Sequence, residues 1–149
     1  MSISKKIESK LPAVKHYNTG GCNGCDIEIL AAVISVVNSE NSSADDAEGT
    51  RRRSIITATG PANMKGAKIL KQIYDETPDP KVVVSIGTCA CSGGIFWGCQ
   101  NILGGVDKVV PVDVYMYGCP VRPEQVIDAL AEGLKKLEEK TKAIEVEKK

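Results

Sequence analysis

Val82-Val83-Val84-Ser85-Ile86-Gly87-Thr88-Cys89 is the stretch on which the fold turns. Its first five residues are almost all β-branched and apolar, with no alternation of polar and apolar positions. Such a run suits a strand covered on both faces, as in a parallel sheet with helices above and below it. Gly87 ends the run, and a cysteine follows two residues later. Two other segments have the same form. Ser54-Ile55-Ile56-Thr57-Ala58 runs into Thr59-Gly60-Pro61, and Val109-Val110-Pro111-Val112-Asp113-Val114-Tyr115-Met116 runs into Tyr117-Gly118-Cys119-Pro120.

Helical patterns fill the space between and beyond these segments. Met64, Ala67, Ile69, Leu70 and Ile73 recur at helical spacing up to Thr77-Pro78, where the proline ends the helix. Pro123 suits a first helical position, and Glu124 suits the positive end of the helix dipole. Val126, Ile127, Leu130, Leu134 and Leu137 then form an apolar stripe. An earlier helix starts at Asp26-Ile27-Glu28-Ile29-Leu30. The predicted order is helix, strand, helix, strand, long loop, strand, helix, which is an open α/β sheet.

That architecture gives the cysteines a common address. In open parallel sheets, ligands gather beyond the carboxyl ends of the strands, at a topological switch point. Cys89 and Cys119 each lie one to three residues past a predicted strand. Cys22 and Cys25, in Cys22-Asn23-Gly24-Cys25, precede a helix whose free N–H groups favour thiolate charge. Gly24 lets backbone approach a bulky ligand. Four thiolates at one point suit an iron–sulfur cluster or a tetrahedral zinc ion. Zinc sites more often use two close pairs, whereas here the third and fourth cysteines are singletons on separate loops.

Composition narrows the function classes. The chain has 149 residues, enough for one domain with its own core. Lys and Arg together number 19, as do Asp and Glu, so no global charge favours nucleic acid or an anionic membrane. The longest apolar run, Ile29 to Val37 interrupted by Ser35, is too short to span a bilayer. Met1 to Lys10 is polar and charged, so no export signal is expected there. Six cysteines without such a signal point to a reducing compartment and to metal ligation rather than disulfides. Buried free thiols account for one or two of the six, but not for the glycine-flanked four.

Five motifs then occur in a telling order: Cys22-Asn23-Gly24-Cys25-Asp26-Ile27-Glu28, Thr59-Gly60-Pro61, Gly87-Thr88-Cys89-Ala90-Cys91-Ser92-Gly93-Gly94, Val109 to Val114, and Gly118-Cys119-Pro120. Together they resemble the small subunit of membrane-bound, energy-converting (group 4) nickel–iron hydrogenases. That family is related to the 20 kDa cluster-bearing subunit of respiratory complex I, which passes electrons to quinone. The resemblance runs from about His16 to Leu137. It implies a flavodoxin-like domain holding one 4Fe–4S cluster beside the nickel–iron centre of a large subunit. Carried over residue by residue, the ligands are Cys22, Cys25, Cys89 and Cys119.

The resemblance also implies partners. They are the nickel–iron large subunit, a ferredoxin-like iron–sulfur subunit and, indirectly, integral membrane subunits, with the chain cytoplasmic and peripheral to the inner face of the membrane. The chain would be part of an oxidoreductase without being catalytic alone. Complex I relatives usually carry two adjacent cysteines at the first site, while hydrogenase small subunits carry Cys-x-x-Cys, as here. A quinone-reductase subunit and a zinc-stabilised binding module without redox function stand as the alternatives. No carboxy-terminal extension with further clusters follows Leu137, so one cluster is the expected total.

Residues 1–149 are read as a single domain. Residues 38–53, acidic and then basic through Arg51, Arg52 and Arg53, have the composition of a flexible loop, and residues 138–149 that of a charged, solvated tail. The loop departs from relatives, where the equivalent segment is rich in Pro, Arg, Tyr, Glu and Phe. Cys91 is read as a packed thiol, with a swap for Cys89 as a ligand the lesser reading, Cys99 as a buried or interface thiol, and His16, the sole histidine, as a hydrogen-bonded structural residue. Asp26 and Glu28 stabilise a helix start, with a proton path as the lesser reading. Phe96 and Trp97 fit either the core or a partner interface. Arg122 is read as sitting at the start of the last helix, with a hydrogen bond towards a cluster sulfide as the lesser reading. Thr59-Gly60-Pro61 is too short for a nucleotide loop.

Overall fold

The computed structural model describes residues 12–37 and 53–147. The chain enters through β1 (Ala13–Asn18), followed by α1 (Gly24–Val37), β2 (Ser54–Thr59), a two-residue β3 (Ala62–Asn63) and α2 (Met64–Glu76). Next come β4 (Lys81–Ile86), a one-turn α3 (Thr88–Ser92), β5 (Ile102–Gly104), β6 (Val114–Met116) and α4 (Pro123–Glu147). Short 3₁₀ turns at Gly94–Phe96 and Val106–Lys108 flank β5.

The main sheet is wholly parallel, in the order β1-β2-β4-β6. Ile55 pairs with Val82 and Ile56 with Val83, so alternate residues of the two central strands share a face. One face carries Ile55, Val82, Val84 and Ile86 against Val126, Ala129 and Leu137 of α4 and Ala32 of α1. The other carries Ile56, Ala58 and Val83 against Leu70 of α2, Ala90 of α3, Val106 and Val110. Every residue of β2 is buried, which is why its sequence shows no alternation. The expected α/β architecture, a parallel sheet with helices on both faces, is present.

Local chemistry sets the helix ends. Asn63 caps α2 by accepting from the Gly66 N–H at 2.6 Å, and the helix stops at Glu76, ahead of Thr77-Pro78. Pro123 opens α4, and Gln125 Oε1 reaches back to the Arg122 N–H at 3.0 Å.

Several expectations change. The chain's first described element is an edge strand, β1, absent from the predicted order. Val109–Met116 pairs with β4 only over Val114–Met116. Before that, Val109 ends a 3₁₀ turn, and the Asp113 carboxylate takes the Val83 N–H at 2.9 Å, where a longer strand would have placed a carbonyl. The long loop after β4 contains α3, β5 and two 3₁₀ turns. Among the described strands the order across the sheet follows the chain. Glu138 to Glu147, expected as a tail, continue α4, with Lys140 bonded to Asp113 at 2.7 Å. Residues 38–52 lie outside the described residues; the Arg53 carbonyl accepts from the Ala13 N–H at 3.0 Å.

Candidate metal centre

All three cysteine-bearing turns open at the carboxyl edge of the sheet. Cys22 lies in the turn between β1 and α1, and Cys25 is the second residue of α1. Cys89 is the second residue of α3, directly after β4 and Gly87. Cys119 lies between β6 and α4. The Gly118 carbonyl accepts both the Thr88 N–H (2.9 Å) and the Thr88 hydroxyl (3.1 Å), so the Cys89 and Cys119 turns are tied together.

Glycine permits the close approach. Gly87 has φ of +95°, and a Cβ built on it would stand 2.5 Å from the Cys25 sulfur. A Cβ on Gly94 would stand 2.9 Å from the Cys89 sulfur. One on Gly24 would meet the Cys22 sulfur and the Pro120 ring, each at 3.5 Å, which sets Cys22 beside the Cys119 turn. The backbone is thus drawn up against the thiols from three directions.

Electrostatics records the same convergence. Burial pushes the Cys89 thiol up, and the charges of Cys119, Cys22 and Cys25 push it further, against a hydrogen bond from the Ile95 N–H. Burial also pushes up Cys25, with the Val121 N–H opposing and Asp26, Cys22 and Cys119 adding to the rise. Four mutually repelling sulfurs do not all ionise without a cation to balance them. The donor set therefore asks for metal, and soft thiolates favour iron–sulfur or zinc. A single tetrahedral zinc, with bonds of about 2.3 Å, would draw its sulfurs to within roughly 4 Å of one another. Among the described residues no three His, Cys, Asp or Glu side chains gather closely enough to hold a single ion. A cluster would instead offer each cysteine its own iron, and Cys22, Cys25, Cys89 and Cys119, on three turns, are the residues that would hold one.

The remaining cysteines stand apart. Cys91 is buried, and its thiol bonds the Ser85 carbonyl (3.6 Å) and the Met116 carbonyl (3.5 Å), with the Ser85 hydroxyl at 3.5 Å. Burial pushes this thiol up as well. Cys99 is exposed, so it is not the packed thiol that one of its two readings made it. Trp97 and Ile95 are 65% and 85% exposed, on the turn that follows Cys89, and this removes Trp97 from the core. Arg122 is exposed at the start of α4.

Sequence reasoning missed the frame around Cys22 and Cys25. Asn18 Oδ1 accepts the N–H groups of Gly20 and Gly21, both at 2.7 Å, and its Nδ2 donates to Asn23 (2.8 Å) and to Asp26 (2.5 Å). Asp26 also accepts from His16 Nε2 and from the Thr59 hydroxyl, each at 2.6 Å. Burial opposes ionisation of Asp26, but hydrogen bonds from Thr59, His16 and Asn18 outweigh it and hold the carboxyl below its usual range. Thr59-Gly60-Pro61 packs on the same turn, with the buried Thr19 hydroxyl 2.8–2.9 Å from its three carbonyls. An asparagine ahead of Gly20-Gly21 is an Asx-turn signal that pointed to the turn, but not to the bonds with Asp26 and Thr59.

Known proteins resemble this chain along most of its length. The family described as NADH ubiquinone oxidoreductase, 20 kDa subunit, matches residues 22–133. A probable membrane-bound hydrogenase subunit of Pyrococcus furiosus is 37% identical over 132 residues, covering 89% of this chain and 79% of its own length. An NADH-quinone oxidoreductase subunit of Campylobacter fetus is 44% identical over 107 residues, 71% of this chain and 63% of that one. Among solved structures, a chain of the membrane-bound sulfane sulfur reductase, an archaeal respiratory membrane complex, superposes with a TM-score of 0.58 at 27% identity. That match covers 91% of this chain and 76% of the other.

Proposed function

The chain belongs to the NADH ubiquinone oxidoreductase 20 kDa subunit family, and from that premise we propose that it is the electron-relay subunit of a membrane-associated nickel–iron hydrogenase complex. The observation that carries this reading is that Cys22, Cys25, Cys89 and Cys119 lie on turns at one edge of the sheet, with glycine backbone drawn against the sulfurs of the first three. These four cysteines would hold one 4Fe–4S cluster, which supplies one-electron transfer when bound. The rest of the chain positions and shields. The N–H groups of Val121 and Ile95 point at the sulfurs of Cys25 and Cys89, the kind of contact that tunes a metal site. Chemistry on hydrogen belongs to the nickel–iron centre of a large subunit, and a ferredoxin-like subunit takes or gives the electrons. Attachment to the membrane would run through partner subunits; no helix among the described residues is long and apolar enough to cross one.

The likeness to an NADH-quinone oxidoreductase subunit supports a second reading, delivery of electrons to a quinone. The Cys-x-x-Cys spacing of Cys22 and Cys25 favours the hydrogenase reading. The complex purified through a tag on this chain distinguishes them. A nickel-containing large subunit and hydrogen-dependent dye reduction are expected; a nickel-free assembly that reduces quinone overturns the hydrogenase assignment. A colourless chain carrying stoichiometric zinc overturns both.

A further inference from the structure

Asp26 directly follows Cys25 and is held on both of its oxygens. Oδ1 accepts from His16 Nε2 and the Thr59 hydroxyl, each at 2.6 Å, and Oδ2 accepts from Asn18 Nδ2 at 2.5 Å. His16 and Asn18 belong to β1, and Thr59 ends β2, so two strands fix a carboxylate that a third element, α1, carries. His16 is braced in turn, its Nδ1 lying 3.0 Å from the Thr57 hydroxyl. Favourable interaction with a helix start accounts for an acidic residue here. It does not account for three side chains from other elements converging on it. The Asp26 side chain is only 21% exposed, so water screens its charge in part.

We propose that Asp26 sets the reduction potential of the site: its fixed negative charge beside Cys25 makes the one-electron reduction of a cluster held by Cys22, Cys25, Cys89 and Cys119 less favourable. The inference rests on the cluster reading above. Reduction takes the cluster from the 2+ to the 1+ state with one electron from a donor, dithionite in the test, and breaks no bond. An added electron next to a confined carboxylate meets repulsion that an amide in the same place would not supply. The His16, Asn18 and Thr59 contacts keep that charge at a constant position.

The full-length chain, loaded anaerobically with ferrous iron and sulfide, is titrated with dithionite at one fixed pH and followed by electron paramagnetic resonance. Asp26→Asn is expected to move the midpoint to more positive potential by about a tenfold change in the equilibrium, roughly 59 mV for one electron. Asp26→Glu is expected to restore the wild-type midpoint even where its melting temperature falls. Glu28→Gln is expected to leave the midpoint in place. A role in folding alone would move melting temperatures without moving midpoints. If Asp26→Asn binds no iron, Asp26→Ser, which is also neutral and suits a helix start, takes its place. An unchanged midpoint in the neutral variant, an equal shift in Glu28→Gln, or loss of iron from both neutral variants overturns the assignment. Absence of a cluster signal from the wild-type chain would instead overturn the underlying cluster reading.

Discussion

The surroundings of each sulfur separate four candidate ligands from two other cysteines. Glycine backbone lies against the sulfurs of Cys22, Cys25 and Cys89, whereas Cys91 spends its hydrogen bonds on the carbonyls of Ser85 and Met116. Alanine at any of the first four is expected to remove or convert the cluster, seen as lost iron and a lost or altered paramagnetic signal. Alanine at Cys91 or Cys99 is expected to leave that signal. Retention in Cys89→Ala together with loss in Cys91→Ala would reverse the assignment on that turn. Gly87 gives a sharper steric test. Its φ of +95° and ψ of 150° are accessible essentially to glycine alone, and a Cβ would sit 2.5 Å from the Cys25 sulfur. Gly87→Ala is therefore expected to cost about 1–3 kcal/mol in backbone strain and to displace Cys25. Chemical denaturation and iron analysis of the variant measure the two effects, and an unperturbed iron content would count against the close approach. These contacts also explain what a sequence conveys about a site. The cysteines were legible because thiols are rare and chemically loud. The Asn18–Asp26–Thr59 frame was not, because its bonds join residues up to 33 positions apart through ordinary side chains.

At the scale of elements, legibility followed burial. β2 and β4 were plain in the sequence because both of their faces are covered, leaving runs of Ile and Val. β1 was invisible for the opposite reason. As an edge strand it leaves Val14, Lys15 and His16 exposed, so Ala13-Val14-Lys15-His16-Tyr17-Asn18 has no apolar run to read. The Val109–Met116 segment misled in a third way. Val110 and Val114 are buried, yet Pro111 lacks an N–H, and Asp113 donates its own N–H to the Val83 carbonyl while its carboxylate takes the Val83 N–H, so regular pairing begins only at Val114. Helix ends were legible where the signal is local, as at Thr77-Pro78 and Pro123, but the Asn63 cap went unread. Asn63 does more than cap, since its Nδ2 also donates to the Thr19 carbonyl at 2.5 Å and so ties α2 to the Cys22 turn. Asn63→Ala is expected to lower stability by about 1 kcal/mol or slightly more, read as a fall in melting temperature by circular dichroism. A variant that melts with the wild type would show that neither bond contributes.

At the scale of the whole molecule, one of several exposed apolar places among the described residues lies beside the cysteines. Trp97 at 65% exposure and Ile95 at 85% stand on the turn after Cys89, whose sulfur receives the Ile95 N–H. A relay must bring its cluster close to the centre it serves, so this corner is where a large subunit would sit. The division of labour has its own test. Purified alone and loaded with iron and sulfide, the chain is expected to show no hydrogen uptake or evolution with artificial electron carriers, and turnover by the single chain would place catalysis here. Trp97 tests the boundary itself. A large aromatic residue at a desolvated interface typically costs about 2 kcal/mol or more when cut to alanine. A core residue of that size would instead cost about 3–5 kcal/mol of folding stability. The observed exposure separates these outcomes: Trp97→Ala is expected to keep its fold and iron content while losing affinity for the large subunit. Its ring does lie over Gly93 and Gly104, each close enough that an added Cβ would meet it at 3.3 and 2.8 Å, so a small fall in melting temperature is compatible with this view. Affinity purification through the chain and thermal melting of the same variant give the two readings. A markedly lower melting temperature with undiminished capture of the large subunit would make Trp97 a structural residue and remove this corner as the docking face.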